Sequence, residues 1–157
     1  MRGLLNNTRL AMISNRSMPY STIIPVLGYS DVPQAVEWLT RVFGLTERLR
    51  IADHRVQLSF GPGDLVVTQS ATSGASDSHS IMVRVADVDT HYLRSRQGGA
   101  QIFGEPATFP YGERQYSAAD LGGHVWTFSQ SVADVDPGSW GGILIDRAVS
   151  NSCKQTR

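Results

Sequence analysis

Two stretches of this chain carry the same succession of folding signals, and an internal repeat restricts the possible folds more than any single motif. In the first stretch, residues 22–27 form an apolar strand candidate. Pro25 marks an edge or a bulge there, because proline has no N–H for a ladder bond. Asp31 then caps a helix over residues 31–43, with Pro33 in its first turn and Gly44 at its end. Val32, Ala35, Val36, Leu39, Val42 and Phe43 recur at helical spacing and predict one buried stripe. Extended segments follow at about 46–52, 55–60 and 64–69, the last entered through Gly61-Pro62-Gly63.

The plan then repeats. Residues 70–78 are small and polar, the composition of a linker. A strand over 80–85 leads to Asp87, which caps a helix reaching about Gln97 and closed by Gly98-Gly99. Strands are expected at about 101–105, 114–120 and 124–130. The last two are joined by Gly122-Gly123, where glycine supplies the turn. Each half therefore reads β-α-β-β-β, and the fold class is α+β.

Composition narrows the function classes. At 157 residues one domain with a sizeable core is the default. Lys and Arg together number 14 and so do Asp and Glu, so the basic excess of a nucleic-acid binder is missing. The single cysteine, Cys153, rules out an internal disulfide and a multi-cysteine zinc site, and suits a cytoplasmic protein. No apolar run reaches the roughly 20 residues of a membrane span. Residues 1–17 read as a poorly ordered extension, and the patterned domain is expected over 18–142, where Met18 is a candidate translation start. Within it the modules cover about 20–70 and 79–130, and residues 143–157 read as a peripheral tail.

The order of these signals resembles the vicinal oxygen chelate superfamily, which groups glyoxalases, bleomycin-resistance proteins and extradiol dioxygenases. Three segments carry the resemblance: Gly28-Tyr29-Ser30-Asp31-Val32-Pro33-Gln34-Ala35-Val36-Glu37-Trp38-Leu39-Thr40-Arg41-Val42-Phe43-Gly44, then Val85-Ala86-Asp87-Val88, then Asp120-Leu121-Gly122-Gly123-His124-Val125-Trp126. The resemblance implies two tandem βαβββ modules forming a curved mixed sheet around a cleft, often within a homodimer. It also implies where metal ligands stand in members that use one, on the first and last strand of each module. Carried onto this chain, those positions are Ile24, Val67, Ser80 and Thr127. Alkyl chains have no donor atom and neutral hydroxyls are poor ligands for a divalent ion, so no metal cofactor is expected.

Four scattered histidines do not replace that set. His79 reads as the residue before a strand, His124 as part of a turn, His54 as a solvated hairpin residue and His91 as a helix-surface residue. Glu113 is the one carboxylate near the cleft rim able to act as a general base, and reads more simply as an ion-pair partner of Arg114. Arg114 in turn is a candidate for contacting an anionic substrate.

Strand alternation nominates a ligand-binding lining of Ile24, Val67, Gln69, Ser80, Met82, Arg84, Gln115, Ser117, Val125 and Thr127. Val26 and Leu65 extend it. The surface is mostly apolar, with a few neutral hydrogen-bonding groups and one cation. That suits burial of a small, neutral or weakly anionic organic molecule. The expected function is metal-free binding, as in the bleomycin-resistance branch, in a resistance or sequestration role. The alternative is a metal-dependent lyase, isomerase, transferase or dioxygenase using an off-pattern site. Neither nucleic acid nor membrane is an expected partner.

Overall fold

The computed structural model describes residues 14–71 and 79–145, and the chain divides into two compact units, Met1–Ser73 and Gly74–Arg157. Residues 1–13, 72–78 and 146–157 lie outside the described residues. With them lie most of the expected extension, most of the expected linker, most of the expected tail, and Cys153. Each unit is a βαβββ module with a mixed sheet of its own.

In the first unit, β1 (Val26–Tyr29) leads to α1 (Val32–Trp38), which runs on through a π-helical turn, Leu39–Phe43. β2 (Thr46–Ile51), β3 (Arg55–Phe60) and β4 (Gly63–Gln69) complete a four-stranded sheet in the order β1-β4-β3-β2. β1 starts later than the sequence suggests: the ladder begins after Pro25, whose carbonyl still accepts from Val66 N–H at 2.9 Å. The cap reading holds, with Asp31 Oδ1 accepting from Gln34 N–H at 2.9 Å. The expected stripe is buried to the last residue, and Gly44 stops the helix at φ 84°. Trp38, half-buried, meets Phe43 edge-on with centroids 4.9 Å apart.

Register in this sheet corrects one part of the sequence reading. Residues paired across a sheet share a face. Leu27 pairs with Val67, and Val67 with Val56; all three are buried, on the side that also carries Tyr29 and Leu58. That side takes the apolar stripe of α1. Val67, Leu65 and Gln69 therefore belong to the helix-facing side, and Val66 and Thr68 take the opposite one, paired with Val26 and Gly28. The error is one residue of register, which moves every side chain of β4 to the other face.

In the second unit, β5 (Ile81–Arg84) leads to α2 (Val88–Gln97), followed by β6 (Gln101–Ile102), β7 (Ala107–Thr108), β8 (Glu113–Ala119) and β9 (Val125–Ser131). The sheet order is β5-β9-β8-β6, with β7 pairing β8. The extended stretch expected over 101–105 is thus a two-residue strand, and β7 is an element the sequence pattern did not reveal. Asp87 caps α2 through Thr90 N–H at 3.1 Å. Under the helix lie Trp126 and Phe128, stacked at 6.3 Å, and Tyr116, stacked on Phe128 at 5.2 Å. Burying each such ring contributes roughly 2–3 kcal/mol.

Tyr116 also holds the helix in place. Its hydroxyl donates to Ser95 Oγ at 2.8 Å and lies 2.6 Å from His91 Nδ1, and burial pushes its pKa up to about 12. His91 packs against Phe128 with tilted rings 4.1 Å apart, so it is part of this packing and not the surface residue its sequence context suggests. No helix among the described residues is long and apolar enough to cross a membrane.

The β8–β9 turn is fixed by one carboxylate. Asp120 is 6% exposed; its Oδ1 accepts from Gly122 N–H at 2.9 Å and His124 N–H at 3.0 Å, and its Oδ2 accepts from the Trp126 indole at 3.0 Å. Replacing Asp120 with alanine strands three donors in a mostly buried site and should lower unfolding free energy by about 3 kcal/mol in chemical denaturation. A loss under about 1 kcal/mol would show that the turn does not depend on it.

Candidate functional site

The face of the second sheet turned away from α2 gathers the polar chemistry of this unit. Met82 pairs with Thr127 and Thr127 with Ser117; Arg84 pairs with Ser129 and Ser129 with Gln115; Glu113 pairs with Ser131. Period-2 alternation sends all of these to one side, because Trp126, Phe128, Tyr116 and Ala118 occupy the other as buried core. Met82, Arg84, Tyr111, Glu113, Gln115, Ser129 and Trp140 line a single pocket of about 460 Å³. Its apolar wall comes from Met82, 66% exposed, and from an aromatic row. In that row Phe109 stacks on Tyr111 at 5.4 Å, and Tyr111 meets Trp140 at 5.6 Å.

The floor is a connected hydrogen-bond chain. Tyr111 donates to Gln115 Oε1 at 3.0 Å, Gln115 Nε2 to Ser129 Oγ at 3.0 Å, and Ser129 to Glu113 Oε2 at 2.6 Å. From the other side, Arg84 Nη2 donates to Ser131 Oγ at 2.8 Å, and Ser131 to Glu113 Oε1 at 2.6 Å. Deeper on the same face Ser117 and Thr127 join hydroxyl to hydroxyl at 2.8 Å. The bonds from Ser129 and Ser131, helped by the Arg84 charge, hold the Glu113 carboxyl below its usual pKa. A carboxylate so stabilised is a weak general base near neutrality, since its conjugate acid is too strong.

Two local devices bring the aromatic wall to this floor. Gly112 sits at φ 83°, and a Cβ there would lie 2.4 Å from the Ala133 carbonyl, so only glycine lets the chain leaving β9 run past the start of β8. Its own carbonyl accepts from Val132 N–H at 2.9 Å. Further on, Asp136 Oδ1 accepts from Gly138 N–H at 3.1 Å and starts the 3₁₀ turn Pro137–Trp140, which delivers Trp140. Beyond it Ile143, Leu144 and Ile145 are exposed.

The sequence-derived lining separates in three dimensions. Met82, Arg84 and Gln115 meet at the pocket, and Ser117, Thr127 and half-buried Val125 continue its face. Ser80 is exposed just before β5. Ile24 is half-buried just before β1, Val67 is core, and Gln69 turns aside to donate to the Ser30 carbonyl at 2.5 Å. Arg114 does not reach the pocket; it lies on the helix side and pairs with Asp89 at 2.9 Å. Arg114 and Glu113, read as ion-pair partners, point to opposite faces.

The sequence list omits Tyr111, Ser131 and Trp140, and it leaves out Ser129 although the alternation that turns Thr127 to the cleft turns Ser129 there too. Continuing the same alternation to the strand ends finds both serines, and Tyr111 directly precedes the β8 turn. Trp140 lies in a segment with no period to read.

The donors present do not fit a divalent metal. The register moves the first unit's last-strand position from Val67 to Val66, so the four positions become Ile24, Val66, Ser80 and Thr127. None offers an imidazole, a carboxylate or a thiolate. Among the described residues no three His, Cys, Asp or Glu side chains come together in a group that could hold a metal ion. His79 and His124 approach each other at 5.9 Å, and no third ligand joins them among those residues.

The family model described as Glyoxalase/Bleomycin resistance protein/Dioxygenase superfamily matches residues 24–128. Among solved structures, TioX from Micromonospora sp. ML1 is 36% identical, with a TM-score of 0.61 over 71% of this chain and 98% of that one. A glyoxalase/bleomycin resistance protein/dioxygenase from Nocardioides is 21% identical, with a TM-score of 0.58 over 82% of this chain and 91% of that one. The fosfomycin resistance protein FosX from Listeria monocytogenes is 14% identical, with a TM-score of 0.61 over 76% and 94% of the two chains. No curated protein matches the chain in sequence.

Glu113 gives a pH prediction. Because its folded pKa is depressed, its stabilisation is complete above its ordinary value of 4.5 and is lost as pH falls through the folded pKa. Ser129→Ala removes the largest cause, so carboxyl NMR titration should show the Glu113 midpoint rising toward 4.5. An unmoved midpoint would mean that the serine bonds do not set it.

Proposed function

The chain belongs to the glyoxalase/bleomycin resistance protein/dioxygenase superfamily, and within it we propose that it is a binding protein that sequesters a small organic molecule on the open face of its second module. One observation carries the reading: a pocket with a thioether and aromatic wall stands over a polar floor whose charges already answer each other through Ser131. Arg84 and Glu113 offset one another, so the pocket favours a molecule with little net charge, an apolar body and a few hydrogen-bonding groups. The wall contributes burial and the floor contributes orientation.

Turnover has less support. The carboxylate of the pocket is held ionised and occupied by hydroxyl donors, and the family's ligand positions carry alkyl and hydroxyl side chains. A resistance role through sequestration follows from binding without conversion, and FosX, which shares the fold, is named a resistance protein. The metal-dependent alternatives of the superfamily remain the outcome that metal addition tests.

The test is a thermal-shift screen of uncharged and singly charged aromatic and heterocyclic compounds, followed by calorimetry on the hits. Affinity should fall about tenfold or more in Arg84→Ala and in Trp140→Ala, roughly 1.4 kcal/mol each. Incubation of a hit with protein and added Zn, Ni, Mn or Fe should return it unchanged. Conversion of a hit that depends on one of those metals would replace binding with catalysis. Undiminished affinity in both variants would move the site elsewhere.

A further inference from the structure

The two modules treat equivalent faces differently. Val26 stands before Asp31 as Met82 stands before Asp87, and the sheet registers extend the match. Val26 pairs Val66 and Val66 pairs Gln57, while Met82 pairs Thr127 and Thr127 pairs Ser117. Gln57 thus holds in the first sheet the place Ser117 holds in the second. Ser117 is half-buried on a face that carries a pocket. Gln57 is only 5% exposed, because the chain's own residues 15–19 lie over it.

That segment is held through its backbone carbonyls. Arg48 Nη2 donates to the carbonyls of Arg16 at 2.8 Å and Met18 at 3.0 Å, and Gln57 Nε2 donates to the carbonyl of Ser17 between them at 2.9 Å. Arg48 Nη1 also bonds Gln57 Oε1, so the two side chains act as one rigid donor surface. The β-bulge between Glu47 and Leu49 takes Arg48 out of the ladder, which frees it to reach across the sheet. Pro19 is buried, and Asn15 turns the segment by accepting from Ser17 N–H through its side chain and Met18 N–H through its carbonyl. The family match begins at residue 24, so this segment lies outside the matched residues.

We propose that the Arg48–Gln57 face of the first sheet is a binding site for a turn of peptide backbone, with residues 15–19 as its resident occupant in cis. Three successive carbonyls meet donors in a fixed fork, and the guanidinium supplies charge-assisted bonds without requiring any particular side chain from the bound segment. A tethered occupant outcompetes a free one through its effective concentration. The first module's face is therefore covered at Gln57 by the chain itself, while Ser117, at the equivalent place in the second, is half-buried beside a pocket.

The experiment uses the full-length protein and trypsin, with cleavage after Arg16 followed by mass spectrometry. The Arg16 carbonyl, which a protease must polarise, is already bonded to Arg48. Cleavage at Arg16 should be about tenfold or more slower than in the free peptide of residues 14–21. It should accelerate about tenfold or more in Arg48→Ala and in Pro19→Asp, which places a charge in a buried site. Cleavage after Arg55 and Arg114, both within strands, reports whether a variant has lost its fold instead. The Pro19→Asp protein, with its donors intact, should bind the 14–21 peptide in calorimetry while the wild type shows no binding. Cleavage at Arg16 in the wild type as fast as in the free peptide would overturn the proposal. So would equal peptide binding by both proteins, or peptide binding by neither.

Discussion

Asp120 is the constraint from which the second module follows. By engaging two turn amides and the Trp126 indole, it fixes where β8 reverses into β9. Side chains alternate along a strand, so fixing that reversal decides the fate of every residue in both strands. Trp126 and Phe128 go under α2, and Thr127 and Ser129 go to the open face. A slip of one residue would put hydroxyls beneath the helix and two large aromatic rings in water. The aromatic core and the polar floor are two consequences of one buried carboxylate.

The floor itself shows how neighbouring charges can be made quiet. Glu113 and Arg84 do not touch; Ser131 stands between them, accepting from one and donating to the other. Each charge is satisfied locally, which favours recognition by shape and hydrogen bonding over attraction of a strongly charged partner. The first module has a different economy, since its polar face carries Arg48 and Gln57 and these are spent on the chain's own backbone. Two copies of one plan have thus diverged in what covers the equivalent face.

Much of this was legible in the sequence where local chemistry is unambiguous. Asp31 and Asp87 announce helix starts, Gly44 a helix end, and strict alternation in 124–130 gives the correct register for β9. Alternation failed in β4 because Leu65, Val66 and Val67 are consecutive apolar residues, so nothing in the sequence says which ones face the helix. His91 was misread because its partners, Tyr116 and Phe128, come from distant strands. Trp140 and the segment at 15–19 lie outside any periodic element; only tertiary contacts bring them to the faces they cover. Arg114, a candidate for contacting an anionic substrate, is sent by strand parity to Asp89 on the other side.

The central claim is that the open face of the second module binds an organic molecule with its own side chains and no metal. Side-chain NMR on the full-length, chelator-treated protein tests it most directly, by following the Met82 methyl and Trp140 indole signals during titration with a compound found by screening. Saturable shifts are expected at both signals, with the Trp126 indole little changed. Shifts that appear only after a divalent metal is restored, or that bypass Met82 and Trp140, would contradict it.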